Sequence, residues 1–90
     1  MAEPNEDVVG RFIKNGRLVI TPSKRSKLLL VLDYIAQDFE LGRTYAEPEV
    51  NRVLATYHDD YAALRRYLVD EEYMEREAGE YWRAGGTVDV

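Results

Sequence analysis

The chain has 90 residues, 46% hydrophobic and 32% charged, and carries a formal net charge of -5. A length of this order holds one domain with one core, and a mean hydropathy of -0.46 fits an ordinary globular chain rather than a disordered one. The absence of cysteine excludes disulfides, thiolate zinc sites and cysteine nucleophiles and agrees with a reducing cytoplasm, while the longest apolar run, 28–32, is far too short to cross a bilayer.

The charge is unevenly spread. Between positions 8 and 32 the charged residues are Arg11, Lys14, Arg17, Lys24, Arg25 and Lys27, all basic. From Asp59 onward the arginines Arg65, Arg66, Arg76 and Arg83 are outnumbered by acids that include Asp59, Asp60, Asp70, Glu71, Glu72, Glu75, Glu77 and Glu80. An anionic partner is therefore expected to approach the first half.

Residues 1–7 are polar and acidic, lack the apolar stretch of a secretory signal, and are expected to form a disordered tail. Val8, Val9, Phe12 and Ile13 have the spacing of a short amphipathic helix, which Asn15-Gly16 would stop. Arg17-Leu18-Val19-Ile20 reads as a short strand. Thr21-Pro22 suits a helix entrance, because Thr can cap and Pro at the first helical position loses no hydrogen bond.

A helix is expected over 22–39. Stepped at about 100° per residue, Leu28, Val31, Leu32, Ile35, Ala36 and Phe39 share one arc, with Asp33 and Gln37 opposite. Leu30 and Tyr34 fall outside that arc and need a second cover, for which the N-terminal segment is the expected source and another subunit the alternative. Gly42 can end this region in the left-handed conformation.

A short strand at 43–45 leads to a helix starting near Glu47 or Pro48, with Val50, Val53, Leu54 and Tyr57 on its apolar face. Glu49 can supply the acidic half of a capping box, but Ala46 has no hydroxyl to return. Asp59 or Asp60 then caps a further helix whose apolar residues are Tyr61, Leu64 and Leu68. Strand-like runs at 74–77 and 80–83 flank an Ala-Gly turn. Gly85-Gly86 is expected to open a flexible tail over 85–90.

The predicted order is helix, strand, helix, short strand, helix, helix, strand, strand. It specifies an α+β, winged-helix-like domain over 8–84: a three-helix core with a C-terminal β-wing, plus an extra N-terminal helix and strand. Fold does not by itself establish function.

The residues resemble the bacterial family known as domain of unknown function 2087. The likeness lies in Gly16-Arg17-Leu18, in Pro22 with Lys24 and Arg25, and in Phe39-x-x-Gly42-x-x-Tyr45-x-Glu47-x-Glu49-Val50-Asn51. It continues in His58-x-Asp60-Tyr61-x-x-Leu64-Arg65-Arg66-x-Leu68-Val69-Asp70 and in Tyr81-Trp82-Arg83. The resemblance implies a winged-helix module of the kind found in proteins described as bacterial transcriptional regulators, sometimes behind a separate helix-turn-helix domain. Ala46 departs from the usual Ser or Thr.

The candidate site residues divide by role. With Tyr61 at zero, Arg65 falls near 40°, between Leu68 and Val69 on the apolar arc, and Arg66 near about 140°, facing outward. Arg65 is read as structural, pairing with Glu47, Glu49 or Asp60. Arg66 is open to a phosphate contact or to a solvated role. Lys24, Arg25 and Lys27, at the start of the long helix, either hold phosphate or complement the acidic half of the molecule.

The exposed face of the 61–70 helix is expected to carry Ala62, Ala63, Arg66, Tyr67 and Asp70, a poor surface for reading bases. His58-Asp59-Asp60 lacks the spaced ligands of a metal site, and capping accounts for its acids. Without a phosphate loop or a nucleophile with its base, enzymatic activity, a cofactor and a metal are not expected. Tyr73, Met74, Tyr81 and Trp82 either stack a base or close the core. The expected function is transcription-associated contact with DNA backbone through Lys24, Arg25, Lys27 and Arg66. Its rival is a protein-interaction or dimerisation module using Tyr34, Tyr67 and Tyr73, and a small-ligand pocket between the long helix and the wing is a third reading.

Overall fold

The structure is a computed structural model that describes residues 5–87. It is an α+β domain in which helices pack against two small antiparallel sheets. Helix α1 spans Asn5–Phe12 and is followed by strands β1, Ile13–Lys14, and β2, Arg17–Leu18. Helix begins inside the stretch expected to be a tail, of which residues 1–4 lie outside the described part. Ile13, expected to be helical, is in a strand instead. Asn15 and Gly16 have φ of 53° and 76°, and two successive positive values make the tight turn that returns a hairpin with the twist its strands require. Asn-Gly here joins two strands rather than ending a helix.

Helix α2 is Arg25–Ala36, preceded by Lys24 in extended conformation. It starts later than Thr21-Pro22 suggested, because Pro22 is buried and the chain turns only afterward, where the Lys24 carbonyl accepts from Lys27 N and Leu28 N at 3.1 and 2.9 Å. The predicted arc is the core: Val31, Leu32, Ile35, Ala36 and Phe39 have no exposed surface. Helix α1 packs on α2, and Val9, Ile13 and Leu18 join the same apolar cluster, with Leu30 packed against it. The N-terminal segment therefore supplies intramolecular cover on the side of Leu30, while Tyr34, also expected to be covered, stays 48% exposed.

Strand β3, Thr44–Ala46, runs directly into helix α3, Glu47–Ala55. Glu49 Oε1 accepts from Ala46 N at 3.4 Å, which is the half of a capping box this sequence can make. Helix α4, Tyr61–Asp70, is capped by Asp60, whose Oδ1 accepts from Ala63 N at 3.2 Å. Strands β4, Met74–Glu77, and β5, Glu80–Arg83, form the C-terminal hairpin around Ala78 and Gly79, at φ of 51° and 81°. The sheet order is β3-β5-β4, antiparallel throughout. Edge strand β4 exposes Glu75, Arg76 and Glu77, charges that discourage pairing with a foreign strand.

The stretch from Gly85 to Thr87, expected to be a flexible tail, is fastened to α2. Thr87 N and Oγ1 donate to the two oxygens of Asp33 at 2.6 and 2.7 Å, and Gln37 Nε2 donates to the Thr87 carbonyl at 2.9 Å. Arg83, buried to 8% exposure, donates to the carbonyls of Gly85, Phe39 and Thr87. Residues 88–90 lie outside the described part.

Tyr57 closes the end of α3 and donates its hydroxyl to the Asp38 carboxylate. Burial, then this bond, holds its phenol well above the ordinary tyrosine range. A phenol harder to ionise in the folded state contributes stability that is full below the unfolded value of about 10 and declines as pH rises above it. In an ultraviolet titration Tyr57 should therefore ionise well above the ordinary tyrosine range or only on unfolding, and Tyr57→Phe should flatten the alkaline loss of stability. An unchanged alkaline profile in that variant would refute the assignment.

Candidate functional site

Helix α4 presents two faces. Leu64 and Leu68 are buried in the core at 3% and 0% exposure, which turns Arg65 and Arg66 toward the hairpin. There Ala62, Arg65, Arg66, Val69 and Asp70 of α4 meet Arg76 of β4 and Tyr81 of β5 around a cleft of about 340 Å³. Three guanidiniums and one carboxylate line it. On an acidic chain this is a local concentration of positive charge at a concave surface, where low-dielectric walls strengthen the field.

The three arginines are held differently. Arg65 places Nε 3.6 Å from Glu47 Oε1 and donates from Nη1 to Asn51 Oδ1. The Tyr81 hydroxyl donates to the same Glu47 oxygen at 2.8 Å. Arg76 stands directly across the hairpin from Tyr81, and its guanidinium is held above its ordinary range chiefly by that tyrosine and to a lesser degree by the negative charge of Glu47 and Asp70. Glu47 thus anchors Arg65 and fixes the Tyr81 hydroxyl on the wall opposite Arg76. Arg66 is exposed and has no ion pair among the described residues.

The other basic residues named from the sequence lie elsewhere. Arg25 makes a two-pronged contact with Glu71, Nη2 to Oε2 at 2.6 Å and Nε to Oε1 at 3.3 Å. Its charge is thereby turned to fastening the start of α2 to the end of α4. Lys24 is exposed and Lys27 half-buried, and neither lines the cleft. The structure separates Arg66 from these three residues and joins it to Arg65 and Arg76.

Arg76 was not singled out by sequence reasoning. The signal was present: strands at 74–77 and 80–83 around a two-residue turn put position 76 opposite 81. Tyr81 and Met74 are core residues at 1% exposure, and Trp82 is half-buried. Tyr67 and Tyr73, expected on outer faces, pack against the core. Tyr73 also donates its hydroxyl to the Leu29 carbonyl at 3.0 Å, while Tyr34 remains 48% exposed.

His58 Nδ1 accepts from Asp60 N at 2.9 Å, and Asp59 pairs with Arg17 at 2.9 Å. The described residues hold no cluster of His, Cys, Asp or Glu able to ligate a metal. No described helix is long and apolar enough to cross a membrane.

The protein is thus a small α+β domain with an arginine-lined cleft between helix and hairpin. Residues 17–83 match the sequence profile of the family described as uncharacterized protein conserved in bacteria (DUF2087), and the chain belongs to that family. It matches no curated protein and no solved structure.

Proposed function

We propose that the chain is a winged-helix module of the bacterial cytoplasm, associated with transcriptional regulation, that contacts DNA backbone without catalysing a reaction. The order α2, β3, α3, α4, β4, β5 with a β3-β5-β4 sheet supports the winged-helix reading, in which α4 and the hairpin face the nucleic acid. The observation that carries the function is the gathering of Arg65, Arg66 and Arg76 at the junction of that helix and hairpin. Phosphate contacts position a protein without reading sequence. Asp70, Glu75 and Glu77 beside the arginines argue against base reading by α4 alone.

Of the expected contacts Lys24, Arg25, Lys27 and Arg66, the proposal keeps Arg66 at its centre and adds Arg76, which lines the same cleft. Lys24 and Lys27 are left as secondary contacts, and Arg65 as the buttress that keeps the cleft open. The test is a titration against mixed-sequence duplex DNA at several salt concentrations. Binding should weaken steeply with salt, with a log-log slope of about -0.9 for each phosphate neutralised. Arg66→Glu/Arg76→Glu should abolish it, and Lys24→Glu/Lys27→Glu should only reduce it. No binding at low salt would sink the reading.

The rival draws on a specific observation. Val19 and Ile20, adjacent in sequence, are 52% and 62% exposed, a combination that favours a protein partner or a second copy. Sedimentation that shows self-association abolished by Val19→Ser/Ile20→Ser, with no DNA bound by the parent protein, would establish that reading.

A further inference from the structure

We infer that Arg66 and Arg76 close on one and the same phosphate group, forming a single-phosphate clamp across the cleft between α4 and β4. As a backbone contact it rests on the reading above, but a free phosphate ion and a phosphodiester offer the same oxygens. The two residues come from different elements and line one cavity. Each guanidinium carries five N–H donors in a planar fork that matches the edge of a phosphate.

Donor supply favours these two over Arg65. The Arg65 side chain is 21% exposed and is already committed to Glu47 and Asn51. Arg66 has no ion pair among the described residues, and neither does Arg76, which stands across the hairpin from Tyr81, so most of both forks is unused. Ala62 and Val69, small or aliphatic, line the cavity between them and offer no competing donor. Asp70 is the carboxylate on the same wall. With Glu47 offsetting Arg65, Arg66 and Arg76 stand against Asp70 and leave about one unit of positive charge, which suits a singly charged phosphodiester or dihydrogen phosphate.

Two contacts to one group differ from two contacts to separate groups in a measurable way. If both arginines hold the same phosphate, removing either releases it, and removing the second costs little more. Independent contacts would instead lose affinity additively. Tyr81 is a positioning residue in this scheme: it lines the cleft directly across the hairpin from Arg76, so removing its hydroxyl loosens the clamp without changing any charge.

The experiment titrates the full chain with inorganic phosphate, and in parallel with chloride at matched ionic strength, following the Nε–Hε resonances of the arginines by NMR. Arg66 and Arg76 should shift together along one saturable curve that chloride does not reproduce, while Arg25 stays still. Arg66→Lys and Arg76→Lys, which keep the charge but lose the fork, should each weaken binding about tenfold, as for one lost charge-assisted hydrogen bond. The double variant should be no more than marginally weaker than either single one. Tyr81→Phe should also weaken phosphate binding while circular dichroism confirms an unchanged fold.

Equal responses to phosphate and chloride, separate curves for the two arginines, or additive losses would each overturn the clamp. A competition arm separates it from the DNA reading. If phosphate binds as described and displaces duplex DNA beyond the effect of ionic strength, the clamp lies on the backbone path. If phosphate binds and DNA does not bind at all, the clamp holds with free phosphate as its source and the DNA reading fails. DNA binding with additive arginine losses leaves the DNA reading standing and removes the clamp.

Discussion

Leu68→Ala is expected to lower the free energy of unfolding by about 2–5 kcal/mol, the range for truncating a fully buried leucine. For a chain of this size the total is on the order of 5–13 kcal/mol, so one substitution removes a large share of it. Leu68 has no exposed surface and sits with Leu64 on the inner face of α4. Those two side chains seat the helix on the core and, by doing so, aim Arg65 and Arg66 at the hairpin. Chemical denaturation should show a lower midpoint at unchanged slope, the signature of lost stability without a change in the surface exposed on unfolding.

Arg66→Ala, two positions earlier on the outer face, makes the complementary case. It should leave the midpoint nearly unchanged, because it removes no packing and no ion pair among the described residues, yet it should eliminate saturable phosphate binding. A loss below about 1 kcal/mol for Leu68→Ala would mean the core collapses into the space and α4 is seated by other contacts.

Local chemistry was legible in the sequence where it acted through neighbours. The hairpin followed from strand runs on either side of Ala78-Gly79, and the core arc of α2 followed from the spacing of Val31, Leu32 and Ile35. Asn15-Gly16 was read as a helix stop because Val8, Val9, Phe12 and Ile13 keep helical spacing. The pairing of Ile13 with Leu18 is a hairpin that the same dipeptide encodes equally well. Two local signals competed, and packing of α1 on α2 decided between them.

Contacts between distant positions were not legible. Arg25 reaches Glu71 across 46 positions, and Asp33 receives Thr87 across 54. Nothing in either neighbourhood names the other, so Arg25 was read only as a phosphate contact or a general complement to the acidic half, of which Glu71 is the specific partner, and Gly85-Gly86 as the start of a loose tail. For the site, Arg65 was placed on the apolar arc by its angle alone, and its partner Glu47 was among the acids considered. Arg76 was overlooked because an exposed arginine flanked by two glutamates looks like a solvated edge until the strand register sets it against Tyr81.

Gly85→Ala should be strongly destabilising, at about 2–4 kcal/mol, because a methyl group there meets backbone and unseats a buried charge. A Cβ at Gly85 would lie 2.7 Å from the Glu72 carbonyl oxygen and 3.6 Å from Tyr73 Cα. Neither neighbour is a flexible side chain that can swing away. The exit from β5 runs against the turn that follows α4, with Ala84 N and Gly85 N both donating to the Tyr73 carbonyl at 2.9 and 3.2 Å. Forcing these segments apart lifts the 85–87 strap, which takes the Gly85 and Thr87 carbonyls from Arg83 and the Thr87 donors from Asp33. Arg83 would keep only the Phe39 carbonyl, at 3.4 Å.

Two other glycines set the scale for that loss. Gly79 has a φ of 81° and nothing within 4 Å of an added Cβ, so Gly79→Ala should cost about 1–2 kcal/mol from backbone conformation alone. Gly10, inside α1 and equally unobstructed, should gain about 0.5–1 kcal/mol on replacement by alanine. Denaturation midpoints should therefore rank Gly10→Ala highest and Gly85→Ala lowest, with Gly79→Ala between them. In Gly85→Ala, amide exchange should accelerate at Thr87, whose amide is bonded to Asp33, and remain slow in the interior of α3. If Gly85→Ala unfolds no more easily than Gly79→Ala, the strap has room to shift and Arg83 is not secured by it.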